Sequence, residues 1–128
     1  MRIHRPGRPP LIEAALLLFA VSQHFAGAQL LGPEFQVNSY TPSGQVRPAV
    51  AVDAAGNFVV VWSDYAQESP LDHGIFGQGF DPAGGPLGTE FHVNSFTTSH
   101  QQYPAVAASG TNNFLVVWDS QGQDGSAR

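Results

Sequence analysis

Cysteine and lysine are both absent from this chain. Without cysteine, no disulfide can brace a small core, even in an oxidising compartment. Without lysine, the five cations are all arginine, and Arg2, Arg5 and Arg8 crowd the first residues. Long apolar runs are scarce too. Ala14–Val21 (AALLLFAV) is one, but a membrane-spanning helix needs about 20 apolar residues. Helical periodicity is missing after Ala28, so the rest should hold almost no helix.

The N-terminal stretch reads as a targeting segment. Its arginines form a positive n-region, Ala14–Val21 supplies the apolar centre, and Ala26-Gly27-Ala28 offers the small residues that a signal peptidase reads. Residues 1–28 are therefore expected to form a cleavable signal helix, with mature protein from Gln29. The chain is then secreted, extracellular or at the cell surface, with the periplasm as an alternative, and is not inserted in a membrane after cleavage. The mature part has two cations, Arg47 and Arg128, against nine acids, a balance of −7. Nucleic-acid binding depends on cations that neutralise phosphates, so this composition excludes it. Anionic lipid is excluded for the same reason.

A repeat organises the remainder. Leu31–Asp72 aligns without a gap on Leu87–Arg128 at an offset of 56, with 20 of 42 pairs identical. The identities cluster in EFxVNSxT, PAVA and NFxVVW. Residues 29–86 form a first repeat, and residues 87–128 a second that is expected to lack its fourth strand.

Each unit reads as four short strands. Glu34–Asn38 alternates Phe35 and Val37 with polar neighbours. Pro48 opens a strand at Ala49–Val52, since proline is tolerated as a first strand residue. Asp53–Gly56 is a turn, followed by Phe58–Trp62, apolar on both faces and so expected inside a sheet. Ile75–Phe80 is the fourth strand and ends in a second turn, Asp81–Gly85. The fold class is all-β, made of antiparallel four-stranded repeats. Unit size and an apolar inner strand favour β-propeller blades, with a β-sandwich or β-solenoid as alternatives.

The pattern EFxVNSxT…PAVAxxxxGxFVVVWxSxxQDGS…GIFGQGFDxxGxPxGxEFxVN resembles the tandem repeats of large secreted or surface-attached bacterial proteins. That resemblance covers nearly all of the mature chain. It implies propeller-like arrays beside adhesion or calcium-binding modules, a multi-repeat parent and no known enzymatic activity. An array of this size is expected to be part of a longer one, because repeat proteins generally need about three units.

Candidate site residues are few. Trp62 and Trp118 end equivalent strands, where an aromatic face can stack on sugar or plug the gap between blades. Phe58, Val60 and Trp62 share a face by period 2, which favours the plug. Asp64 and Asp119 follow the tryptophans, so Trp62, Asp64, Trp118 and Asp119 are the candidate ligand contacts. Asp119 and Asp124 could offer calcium its oxygen ligands, but no EF-hand or GGxGxD spacing is present, and solvated loop acids are the simpler reading. No cofactor is expected, and His73, His92 and His100 lack metal-ligand spacing. Arg47-Pro48-Ala49 with Gly56-Asn57-Phe58 resembles the opening strands of sialidases. Those enzymes clamp a carboxylate with three arginines, of which the mature chain has too few, and their Asp-box spacing is missing. No enzyme is expected.

The expected function is that of a non-enzymatic structural, adhesive or protein-interaction module within a larger repeat protein. Its partners would be like repeats or chains, a carbohydrate or a surface protein. The alternative is a small lectin-like propeller assembled from several chains.

Overall fold

The computed structural model describes residues 1–3 and 33–125. Of the expected signal helix over residues 1–28, only residues 1–3 are described, and there Arg2–Ile3 is strand and not helix; Ala14–Val21 and the Ala28–Gln29 bond lie outside the described residues. The chain divides into two units, Arg2–Phe35 and Met1 with Gln36–Arg128. In the first unit, Arg2–Ile3 is a short strand, β1. Strand β2, Phe35–Gln36, falls at the sequence boundary between the two.

The second unit is all-β, and no helix occurs among the described residues. Four strands, β3 (Gln45–Val52), β4 (Phe58–Ser69), β5 (Asp72–Phe80) and β6 (Pro86–His92), form one antiparallel meander in that order. Strands β7 (Gln101–Ala108) and β8 (Phe114–Ser120) form a separate antiparallel hairpin. Strand β7 packs on β3, β4 and β5.

The strands depart from their expected bounds for identifiable reasons. The first should run Glu34–Asn38, yet only Phe35–Gln36 is strand. Val37 and Asn38 are buried just beyond it, and the Asn38 amide donates to the Tyr40 carbonyl at 2.6 Å, which closes a turn. Asn94, at the matching place, donates to the Phe96 carbonyl at 3.0 Å. The asparagine of VNS therefore ends the strand in both copies. In the second copy the segment just before this motif, β6, is the outer strand of the first copy's sheet.

The second strand does not open at Pro48. It begins at Gln45 and passes the proline through a bulge, where the register with β4 shifts between Val46 and Ala49. The bulge keeps the missing proline N–H out of the ladder. Strand β7 has the same shift between Gln102 and Ala105, around Pro104. Arg47 and Tyr103, the residues before the two prolines, both take positive φ, 54° and 57°.

Strand β4 continues to Ser69, well past Trp62. Polar Ser63 and Asp64 do not stop it, because both are completely buried between β3 and β5. The core is centred on this strand: Val59, Val60, Val61 and Trp62 are buried with Ile75, Phe76 and Phe80. Phe58 stacks on Phe80 with ring centroids 5.0 Å apart.

Both Asp-led turns form. Asp53 Oδ1 accepts from the N–H groups of Ala55 and Asn57 at 2.8 and 2.9 Å. Asp81 Oδ1 accepts from Ala83 and Gly85, both at 2.8 Å. Gly56 supplies the positive φ such a turn needs, and Asn112 takes its place in the second copy at φ 54°.

The second copy departs most. Its three strands were expected in one sheet, but β6 joins the first copy's sheet while β7 and β8 pair apart, and Phe114–Trp118 is not buried. Strand β8 has β7 as its only neighbour among the described residues, and its side chains alternate between half-buried and exposed.

Candidate functional site

The β3 start, the β4 end and the β5 start meet the hairpin at one end of the sheets. There His73 and His100 form an isolated parallel bridge. The His73 ring lies between Tyr65, on which it stacks, and His100, to which it is tilted, with both centroid separations 4.1 Å. Arg47 lies over the Tyr103 ring, 3.9 Å from guanidinium carbon to centroid. The same guanidinium donates from Nη1 to Gln102 Oε1 at 3.2 Å and from Nη2 to the Tyr103 hydroxyl at 3.1 Å.

Gln102 joins the two stacks. With its carbonyl held by Arg47, its amide N–H₂ turns toward Nδ1 of His73. Nδ1 must then carry a lone pair, which is the neutral ring. Burial lowers the pKa of His73 below the ordinary histidine value; His100 and Arg47 lower it further, against an opposing pull from Asp72 and Asp64.

Beside this cluster, the hairpin forms an open pocket of about 350 Å³. Its lining includes His100, Gln102, Tyr103, Asp119 and Ser120, with Gln121 and Asp124 at one side. Tyr103 is 56% exposed. Two enclosed polar atoms, His100 Nδ1 and Ser120 Oγ, have no hydrogen-bond partner in the chain.

The residues singled out from sequence separate. Trp62 is completely buried and serves the core. Asp64 is also completely buried, and its carboxylate holds the loop that follows: Oδ1 accepts from Ala66 and Gln67 at 2.9 and 2.7 Å, and Oδ2 from Gln45 at 2.8 Å. Neither offers a surface to a ligand. Trp118 is half-buried on the edge strand, and Asp119 is exposed and lines the pocket. Asp119 and Asp124 share that pocket, but among the described residues no three His, Cys, Asp or Glu side chains gather as metal ligands.

His73 and His100, scattered in sequence, are brought into contact; His92 instead pairs with Glu68 at 3.3 Å. Gln102 and Tyr103 carried no site signal in sequence, and Arg47 only the set-aside resemblance to sialidase strands. The one hint was positional: Arg47 and Tyr103 both precede proline at the repeat offset, where a strand must bulge.

No protein-family model matches this chain, and no curated protein or solved structure matches it.

Proposed function

We propose that the chain is a secreted, non-enzymatic repeat module that presents a folded surface and contributes no chemistry, within an array of the propeller-like kind. The observation that supports it is that two of the contacts between the copies, Arg47 with Tyr103 and Ala54 with Gly110, join matched residues. Arg47 stacks on Tyr103, its own counterpart one repeat on. At the far end of the sheet, the Asp53 turn meets the matching turn of the second copy: Ala54 N–H donates to the Gly110 carbonyl at 2.9 Å, and Asn112 N–H to Asp53 Oδ2 at 2.8 Å. A contact built from one repeat position and its equivalent can be propagated from unit to unit.

Export is tested by expression in a secreting bacterium. The protein should reach the medium or periplasm and begin at Gln29; Met1 retained on cytoplasmic protein would overturn the secreted reading.

A lectin-like reading is favoured by one feature, the pocket. Tyr103 offers an exposed aromatic in a pocket also lined by Gln102 and Asp119, a pairing suited to a sugar's apolar face and hydroxyl rim. Under that reading, a glycan array should yield a ligand whose binding is lost in Tyr103→Ala.

A further inference from the structure

The two copies differ most in what covers matched apolar residues. Val59 and Val61 of β4 are 4% and 0% exposed, whereas their counterparts on β8, Leu115 and Val117, are 68% and 55% exposed. The sheet register accounts for the cover in the first copy. Val61 lies opposite Gly77, which lies opposite Phe91; Val59 lies opposite Gly79, which lies opposite Leu87. Because Gly77 has no side chain, the Phe91 ring can reach across β5 toward Val61, whereas at Gly79 only the Leu87 carbonyl and Cβ come near. A Cβ on Gly77 would sit 2.8 Å from the tip of the Phe91 ring and 3.2 Å from Val61 Cγ1. One strand supplies main-chain pairing and empty space, and the next supplies the lid.

Strand β8 presents the same acceptor without its cover. Its outer edge has no strand partner among the described residues, and Leu115 and Val117 stand at the two covered positions. We infer that the β8 edge accepts a glycine-bearing hairpin of the β5–β6 type, Asp72–His92, supplied by another unit of this repeat. Pairing would continue the sheet through the backbone, set two glycines opposite Leu115 and Val117, and lay the leucine and phenylalanine of the outer strand over them. A generic strand with side chains at the glycine positions would hold that lid away. This inference rests on the repeat-module reading.

The test uses the full chain and a fluorescent peptide of residues Asp72–His92, followed by anisotropy. Saturable binding is expected, and about tenfold weaker binding, or more, with Gly77→Val or Phe91→Ala in the peptide. Val117→Lys in the chain should weaken it likewise. A head-to-tail cyclised peptide, with its hairpin preformed, removes the cost of folding on binding. If the cyclised peptide does not bind, or binds equally with Gly77→Val, the proposal is overturned. A second protein, carrying residues 73–128 appended after Arg128 in repeat register, separates this outcome from failure of the module reading. If it melts higher and as one unit while the peptide fails, the repeat reading stands and the edge acceptor falls. If it gains nothing, the repeat reading falls as well.

Discussion

Val61 and Val117 are one residue type at one repeat position, and only their surroundings differ. Val61 is fully enclosed beneath Phe91, and Val117 is more than half exposed. Truncating a buried valine removes two methyl groups from the core and leaves a cavity, whereas at an exposed site little burial is lost. Val61→Ala should therefore cost about 2 kcal/mol, and Val117→Ala less than about 0.5 kcal/mol, in urea unfolding followed by circular dichroism. Near-equal losses would mean that the second hairpin is covered in solution. This asymmetry was not legible in sequence, where both copies show the same NFxVVW run; exposure depends on the neighbouring strand. Trp62 was legible as core because Phe58, Val60 and Trp62 recur at period 2. Asp64 was misleading: an acid beside a tryptophan suggests a ligand contact, yet its oxygens are taken up by backbone N–H groups and Gln45. The Arg47–Tyr103 stack was hidden because it depends on a bulge, and no residue type marks a positive φ before proline.

At the scale of elements, β5 shows how glycine serves a sheet beyond flexibility. Its two middle glycines are not equivalent. A methyl on Gly77 collides with Phe91, whereas one on Gly79 meets nothing nearer than 3.6 Å, the Leu87 carbonyl. Gly77→Ala should push the Phe91 ring aside, uncover Val61 and lower stability by about 1 kcal/mol. Gly79→Ala should be neutral or slightly stabilising, because alanine loses less backbone freedom on folding. Paired thermal melts check both, and equal effects would refute the lid geometry. The sequence allowed these strands and both Asp turns to be placed, since alternation, apolar runs and D-x-x-G spacing are local signals. It misjudged strand ends. Strand β4 runs on through buried polar residues that look like a loop, and β3 begins before a proline that looks like a boundary. In each case a partner strand supplied the hydrogen bonds that the local pattern gave no reason to expect.

For the molecule as a whole, the contact between the four-stranded sheet and the hairpin is held at both ends by groups that prefer their deprotonated form. At one end, burial holds the His73 pKa below the ordinary 6.5, with His100 and Arg47 lowering it further against Asp72 and Asp64. At the other, Asp53 accepts the Asn112 backbone N–H, the leading cause of a pKa below the ordinary 3.8, with further lowering from Asn57 and Ala55 against an opposing desolvation effect. The sign is the same for both. A depressed folded pKa means that the unfolded chain binds more protons over the interval between the two values, so stability rises with pH there. The His73 contribution is complete above about pH 6.5 and is lost as pH falls through its lower folded value. The Asp53 contribution survives that step and is lost in turn below about pH 4. Acidification should therefore loosen the hairpin from the sheet in two stages. Amide hydrogen exchange over β7, measured from pH 7.5 to pH 3 and corrected for the intrinsic rate, should report both losses of protection. His73→Phe keeps an aromatic between Tyr65 and His100 but cannot titrate, so it should erase the upper stage and leave the lower. Asp53→Asn should erase the lower stage and also weaken the contact at neutral pH, because the charge that strengthens the Asn112 hydrogen bond is gone. Two stages that persist unchanged in both variants would place the acid sensitivity outside this contact.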